Sequence, residues 1–173
     1  MIKLRWHWVD YIFLVIILAL LVRSFLFQSY KVDSESMLPT LVKNDLILCY
    51  NPFFLKKFDK KKIHRNDIVV FRAPVYPHEE YVKRVVGLGG DKVAIVSNCA
   101  YINGKKFDEK KIKSNTGFYY SVPEIEVPSN SIFVLGDNRG RSSDSRSWGA
   151  LALSNINGKC ILVYWPLSRF HFF

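Results

Sequence analysis

Hydrophobic and polar positions divide this chain into two unequal parts. Tyr11 to Val22 are twelve apolar residues without a break; Arg23 interrupts the run and Phe25-Leu26-Phe27 resumes it. With Trp6 and Trp8 upstream as interfacial aromatics, this predicts a helix from about Trp8 to Phe27, about the 20 residues that cross a hydrocarbon core. Arg23 then snorkels toward the distal face on its long stem. Lys3, Arg5 and the free amino end favour a cytoplasmic N-terminus, which leaves the rest of the chain on the other side. A cleaved leader shares the basic start and short apolar core, but Arg23-Ser24-Phe25 fits a small-x-small cleavage site poorly. A retained anchor over residues 1–27 is therefore preferred to a cleaved leader or a buried soluble helix.

From residue 28 to 173 the pattern changes to short strands punctuated by turns. Asp45 to Tyr50, Ile68 to Phe71, Tyr81 to Val86 and Val93 to Val96 read as strands, with breaks at Asn51-Pro52 and Ala73-Pro74. Gly87-Leu88-Gly89-Gly90-Asp91 lacks dinucleotide-loop spacing and reads as a tight turn. Tyr101-Ile102-Asn103-Gly104-Lys105 offers a hairpin with Asn-Gly suited to a type I′ turn. Residues Lys105 to Ser121 are polar and poorly periodic, so 98–127 is read as a small excursion from the core. Ser131 to Leu135 and Cys160 to Trp165 are strong late strands. Soluble helices are scarce, and the expected class is mainly β: one N-terminal transmembrane helix and one β-rich domain.

At 173 residues the chain has room for one principal core. Its formal charge of +10 would suit an anionic membrane face or nucleic acid. The basic runs, Lys56 to Arg65 and Lys105 to Lys113, lack a stacking platform, zinc spacing or recognition-helix pattern, so no nucleic acid partner is expected. Solvated loops with some attraction to lipid head groups are the simpler reading. Of the three cysteines, Cys49 and Cys160 lie in apolar runs and read as buried thiols. An odd number excludes a fully paired intrachain set and leaves one pair open.

Nothing spells a metal site or a nucleotide loop, and no cofactor is expected. His7, His64, His78 and His171 lack the acid-and-glycine context of a catalytic triad. A serine hydroxyl needs another base to remove its proton, and lysine serves only where an apolar setting destabilises its ammonium form. Lys83 lies between Val82 and Val85-Val86. Strand alternation places it toward the interior and Arg84 toward solvent. Either Lys83 or Ser36 alone would be an ordinary strand or turn residue.

Together their surroundings are more specific. Ser34-Glu35-Ser36-Met37-Leu38-Pro39-Thr40, Asp67 to Phe71, Tyr81 to Asp91 and Gly136 to Gly149 resemble, in order, the sequence blocks of type I signal peptidases (leader peptidases, peptidase family S26). The single anchor and short excursion are similar to the compact bacterial, cyanobacterial or plastid forms. The resemblance implies a signal-peptidase/LexA-like β-rich catalytic domain and a membrane-bound serine endopeptidase that cleaves signal peptides from exported preproteins after small residues at −3 and −1. In it Ser36 is the nucleophile and Lys83 the general base. Ser34 and the Ser36 backbone N–H form the oxyanion hole. Ser142 orients the lysine, while Asp137, Asp144 and Arg146 support the loops. The implied partners are exported preproteins, the lipid bilayer and, by proximity, the secretion translocon. The implied location is the export side of the plasma membrane or the lumenal side of a thylakoid membrane. A self-cleaving Ser-Lys regulator and an inactive membrane-tethered peptide-binding domain are the alternatives; the N-terminal span opposes the first.

Three positions depart from the family pattern. Asp33 stands where proline is common, Glu35 where a small residue is common, and Gly89-Gly90 lacks a proline often present. A carboxylate beside Lys83 would raise its pKa and oppose catalysis. Glu35 is therefore expected to face solvent or another partner.

Overall fold

The computed structural model describes residues 4–51, 63–76, 78–108 and 121–173. The two basic runs singled out above fall largely outside these residues. The chain opens with helix α1 (Leu4–Leu26), 23 residues long, or about 34 Å at 1.5 Å per residue. Its described side chains from Trp8 to Leu21, including Ile12, Phe13 and Leu18, are exposed. Among the described residues no helix is long and apolar enough to cross a membrane.

Phe27, expected as the last helical residue, instead opens strand β1 (Phe27–Lys31). This strand has no clear apolar alternation of its own. It forms because β2 (Leu46–Tyr50) supplies an antiparallel partner, Phe27 opposite Tyr50 through Lys31 opposite Leu46. The next strands are β3 (Ile68–Arg72), β4 (Glu80–Leu88), β5 (Lys92–Val96), β6 (Cys99–Ile102), β7 (Lys105–Lys106), β8 (Val122–Glu126) and β9 (Ser131–Leu135). A short helix α2 (Ser145–Trp148) and strands β10 (Leu151–Ala152), β11 (Ile156–Trp165) and β12 (His171–Phe172) complete the order.

The larger sheet runs β1-β2-β11-β3-β4-β9-β10, with β12 added on β11. The smaller sheet runs β7-β6-β5-β8. Its β6–β7 turn carries Asn103 at φ 51° and Gly104 at φ 76°, the two positive values a type I′ turn requires. β3 sits near the centre of the larger sheet. Its Ile68 and Val70 belong to one apolar cluster with Met37, Leu41, Ile47 and Val163, and its Val69 and Phe71 to another with Val85, Val134 and Leu151. Burial on both faces explains why this strand is a continuous apolar run. A third cluster joins the two sheets through Val86, Phe133 and Leu135 against Val93 and Ile95. Gly87 lies at that junction, where an added Cβ would meet Val93 Cγ2 at 2.6 Å.

One expectation about side-chain direction is overturned here. Arg84 does not face solvent; it is buried on β4 opposite the fully buried Ile68. Alternation does separate it from Lys83, but β4 is covered on both faces. Its guanidinium is accommodated because Asp137 lies within reach.

Candidate active site

The segment after β1 is pinned by apolar anchors and closed by turn hydrogen bonds. Val32, Met37 and Leu41 are buried in one cluster. The Leu38 N–H donates to the Glu35 carbonyl at 3.2 Å and the Leu41 N–H to the Met37 carbonyl at 2.9 Å. These contacts hold Ser36 at the surface of the core without letting its hydroxyl sink into it.

A second loop, just past β9, grips the same turn from outside. The backbone N–H of Asn138 donates to the Ser36 carbonyl at 3.0 Å, and its side-chain amide donates to the Glu35 carbonyl at 3.0 Å. Close approach of the two loops depends on Gly136: a Cβ there would lie 2.6 Å from the Ser36 carbonyl oxygen and 2.2 Å from Ser142 Oγ. Asn138 was not singled out in the sequence. The only signal was its place next to Asp137, since backbone capping leaves no periodic pattern.

Lys83 reaches this turn from β4. Its Nζ lies 2.9 Å from Ser36 Oγ and donates to the Val82 carbonyl at 3.0 Å. The Tyr81 ring centroid is 5.0 Å from Nζ. Burial disfavours the ammonium form and lowers the Lys83 pKa from 10.5 to about 8, with Asp144 and then Asp137 pulling it back upward. Neither carboxylate is bare. Asp144 accepts from Arg146 Nε at 2.8 Å and from the Gly136 N–H at 3.0 Å. It also caps α2 by accepting from the Arg146 N–H. Asp137 accepts from Arg84 Nε and Nη2 at 2.8 and 2.6 Å and from Thr40 Oγ1 at 2.6 Å. Each carboxylate is thus paired with an arginine, and burial of the amine outweighs the upward pull that the two still exert on Lys83.

Ser34 Oγ is 3.0 Å from Ser36 Oγ, so both hydroxyls face the same space. Ser142 is close by through Gly136, but it does not hold the lysine as the sequence suggested. Its Oγ is buried without a hydrogen-bond partner among the described residues, while Nζ bonds to Ser36 and the Val82 carbonyl. Glu35 turns outward, where its carboxylate meets Arg141 Nη1 at 3.1 Å in an exposed pair. Neither His64 nor His171 lines the groove beside this site: the His64 side chain is largely exposed beside Asp67, and His171 Nδ1 is 2.7 Å from the Arg169 carbonyl.

Beside the Ser36–Lys83 pair lies an open groove of about 530 Å³. One wall is Lys31 to Ser34 with Met37; the other is Glu79 to Val82, with Arg141 and Ser143 at an end. Among the described residues no group of three His, Cys, Asp or Glu side chains could hold a metal. The chemistry available is that of a hydroxyl next to an amine of low basicity, beside a cleft bordered by strand backbone.

Comparison with known proteins places this chain among the serine endopeptidases. A family model described as signal peptidase, peptidase S26, matches residues 5–165, and the chain belongs to that family. It is 37% identical to signal peptidase I of Bacillus caldolyticus, over 97% of this chain and 93% of that protein. With signal peptidase I S of Bacillus subtilis strain 168 the identity is again 37%, over 94% and 90%. Signal peptidase I of Leptolyngbya laminosa is 36% identical, over 90% and 77%. A solved signal peptidase I from Enterococcus faecalis V583 is 30% identical, with a TM-score of 0.47 over 56% of this chain and 95% of that one.

Proposed function

We propose that this enzyme removes signal peptides from exported preproteins through a Ser36/Lys83 dyad. The observation that carries the reading is the 2.9 Å approach of a buried lysine amine, lowered to a pKa of about 8, to a serine hydroxyl on the wall of the groove. In the neutral amine, an N–H directed at the Val82 carbonyl leaves the lone pair for the Ser36 proton. Ser36 Oγ attacks the scissile carbonyl as Lys83 takes that proton. Lys83 then protonates the departing amine and activates water for hydrolysis of the acyl-enzyme.

The oxyanion is assigned to the Ser36 backbone N–H and the Ser34 hydroxyl, which rotates from Ser36 Oγ toward the substrate once the nucleophile is engaged. One such donor is worth about 2.7–4 kcal/mol in other acyl-transfer sites. Ser142 Oγ, which has no hydrogen-bond partner among the described residues, is assigned to orient Lys83 after Ser36 has been acylated. An extended substrate fits between the two strand-like walls by backbone pairing, with small residues at −3 and −1 entering shallow subsites.

The helix α1 is assigned as a single-pass anchor, with Lys3 and Arg5 cytoplasmic and residues 28–173 on the export side. An extended chain from Phe27 to Ser36 reaches at most roughly 30 Å, so the site stays near the lipid surface where a signal peptide leaves the translocon. Preproteins and the bilayer are the partners in this reading; nucleic acid is not.

The decisive measurement is single-turnover cleavage of a precursor with alanine at −3 and −1. Ser36→Ala and Lys83→Met remain membrane associated and cleave nothing. Substantial turnover by either folded variant refutes the dyad. For topology, cysteines introduced near residue 3 and near Ser36 in a Cys99→Ala background are labelled in intact cells with a membrane-impermeant thiol reagent. Only the second reacts; protection of that site and reaction of the first would reverse the assigned orientation.

A further inference from the structure

The core of the larger sheet holds a pair of sulfur atoms that the peptidase chemistry does not use. Cys49 on β2 and Cys160 on β11 are directly opposed in the antiparallel register. Both are buried free thiols in the structure, and their Sγ atoms are in hydrogen-bond contact at 2.9 Å. Directly opposed antiparallel residues have Cα atoms about 4.5–5.5 Å apart, inside the range of about 4.4–6.8 Å that a disulfide spans. The strands are also drawn tightly together at this point: a Cβ on Gly158 would lie 3.3 Å from Cys49 Cβ and 3.1 Å from the Tyr50 carbonyl oxygen.

We propose that Cys49 and Cys160 are joined by a disulfide in the exported enzyme, a cross-strand staple between β2 and β11. The bond connects positions 111 residues apart, so one link ties the strand next to β1 to the last long strand of the chain. Cys99, partly exposed on β6 in the other sheet, is left as the single free thiol.

The step requires an oxidant of the dithiol–disulfide class, a small-molecule disulfide or the disulfide of a thiol oxidoreductase. The thiolate of one cysteine attacks the oxidant's disulfide, forming a mixed disulfide and releasing one oxidant sulfur as a thiol. The second cysteine's thiolate then attacks the mixed disulfide at its partner's sulfur. The S–S bond forms, the oxidant leaves as a dithiol (or as two thiols), and it carries away two electrons and two protons. In the finished fold this exchange is blocked, since both thiols are out of contact with solvent and burial holds the Cys160 pKa well above its ordinary value. Oxidation therefore precedes closure of the core, as β11 docks between β2 and β3.

The inference goes beyond the peptidase reading, and its readout does not depend on cleavage. Full-length protein is taken from membranes by acid quench, denatured without reductant, alkylated with N-ethylmaleimide and mapped by mass spectrometry. The expected result is alkylation at Cys99 alone, together with a linked Cys49–Cys160 peptide pair two hydrogens lighter than its reduced form. Cys49→Ala exposes Cys160 to alkylation, and Cys160→Ala exposes Cys49. Wild type unfolded and refolded in reductant, so that both thiols stay reduced, melts about 10 °C below the untreated protein, from the closure entropy of a loop near 100 residues, and the same treatment leaves Cys49→Ala unchanged. Alkylation of all three thiols in the wild type, or a linked peptide containing Cys99, overturns the proposal.

Discussion

Arg84 places Nε 2.8 Å and Nη2 2.6 Å from the two carboxylate oxygens of Asp137, one residue along the strand from Lys83. The pair is almost wholly shielded from water. Its guanidinium also donates to the Asn66 carbonyl at 2.9 Å. A fork of this kind holds Asp137 by two charge-assisted hydrogen bonds, and Asp137 still pulls the Lys83 pKa upward, less than Asp144 does.

Arg84→Met is expected to lower stability by about 3–5 kcal/mol, because it leaves a carboxylate buried without its partner. The same change strengthens the pull of Asp137 on Lys83, so the pH–rate curve moves to higher pH. Adding Asp137→Asn restores part of both losses. Urea unfolding and single-turnover rates across pH measure the two effects, and an unshifted rate curve in folded Arg84→Met would disconnect the ion pair from the lysine.

The pH dependence follows from the lowered Lys83 pKa of about 8. With Lys83 as the proposed general base, acylation needs the neutral amine, so kcat/KM is expected to rise about tenfold per unit below pH 8 and to level above it. Stability carries the same signature. Below about pH 8 the folded protein bears the full penalty of a buried ammonium group. Between about 8 and 10.5 the folded state has released the proton that the unfolded chain still binds, so stability rises with pH, by on the order of 3 kcal/mol. Lys83→Met removes this rise. An equally steep rise in that variant would assign it to another group.

Gly136→Ala tests the contact between the two loops. The added methyl would press on the Ser36 carbonyl oxygen at 2.6 Å as well as on Ser142. The backbone oxygen cannot rotate away as a flexible side chain would, so the nucleophile turn must move. A displacement near 1 Å costs on the order of 100-fold in rate. The variant should still fold, with a normal circular-dichroism spectrum and kcat reduced by about that factor. Wild-type turnover would show that the turn tolerates the shift.

Ser142→Ala separates packing from chemistry. Its hydroxyl is buried without a partner among the described residues, so its removal should leave stability unchanged or raise it by up to about 1 kcal/mol. If Ser142 orients Lys83 once Ser36 is acylated, its loss slows deacylation, so kcat and KM fall together while kcat/KM is retained. Equal deacylation rates in wild type and variant would take Ser142 out of the mechanism.

Much of the strand pattern was legible because it rests on local periodicity. Ile68 to Phe71 and Ser131 to Leu135 are apolar runs of strand length bounded by breakers, and Asn103-Gly104 names its own turn. Strand β1 was not legible: Phe27 to Lys31 becomes a strand only through a partner beginning at Leu46. The full extent of β11 was missed for a similar reason. Ile156 to Lys159 includes Asn157 and Gly158, poor strand formers, and gains its place by pairing with β3.

The candidate site divides along the same line. Residue types are chemical facts of the chain, so a serine box, a lysine in an apolar strand and a polar block with paired acids and arginines can be recognised without coordinates. Glu35 was expected to turn away from Lys83, and it meets Arg141 instead. What tertiary structure alone decided is which groups share a low-dielectric space. It buried Arg84 against Asp137, put Asn138 on the carbonyls of Glu35 and Ser36, left Ser142 without a partner among the described residues and set Cys49 opposite Cys160. These contacts join residues from 53 to 111 positions apart, and such distances close only when the sheet order is set. A local pattern records a residue's neighbours along the chain, whereas charge, burial and proton affinity depend on its neighbours in space.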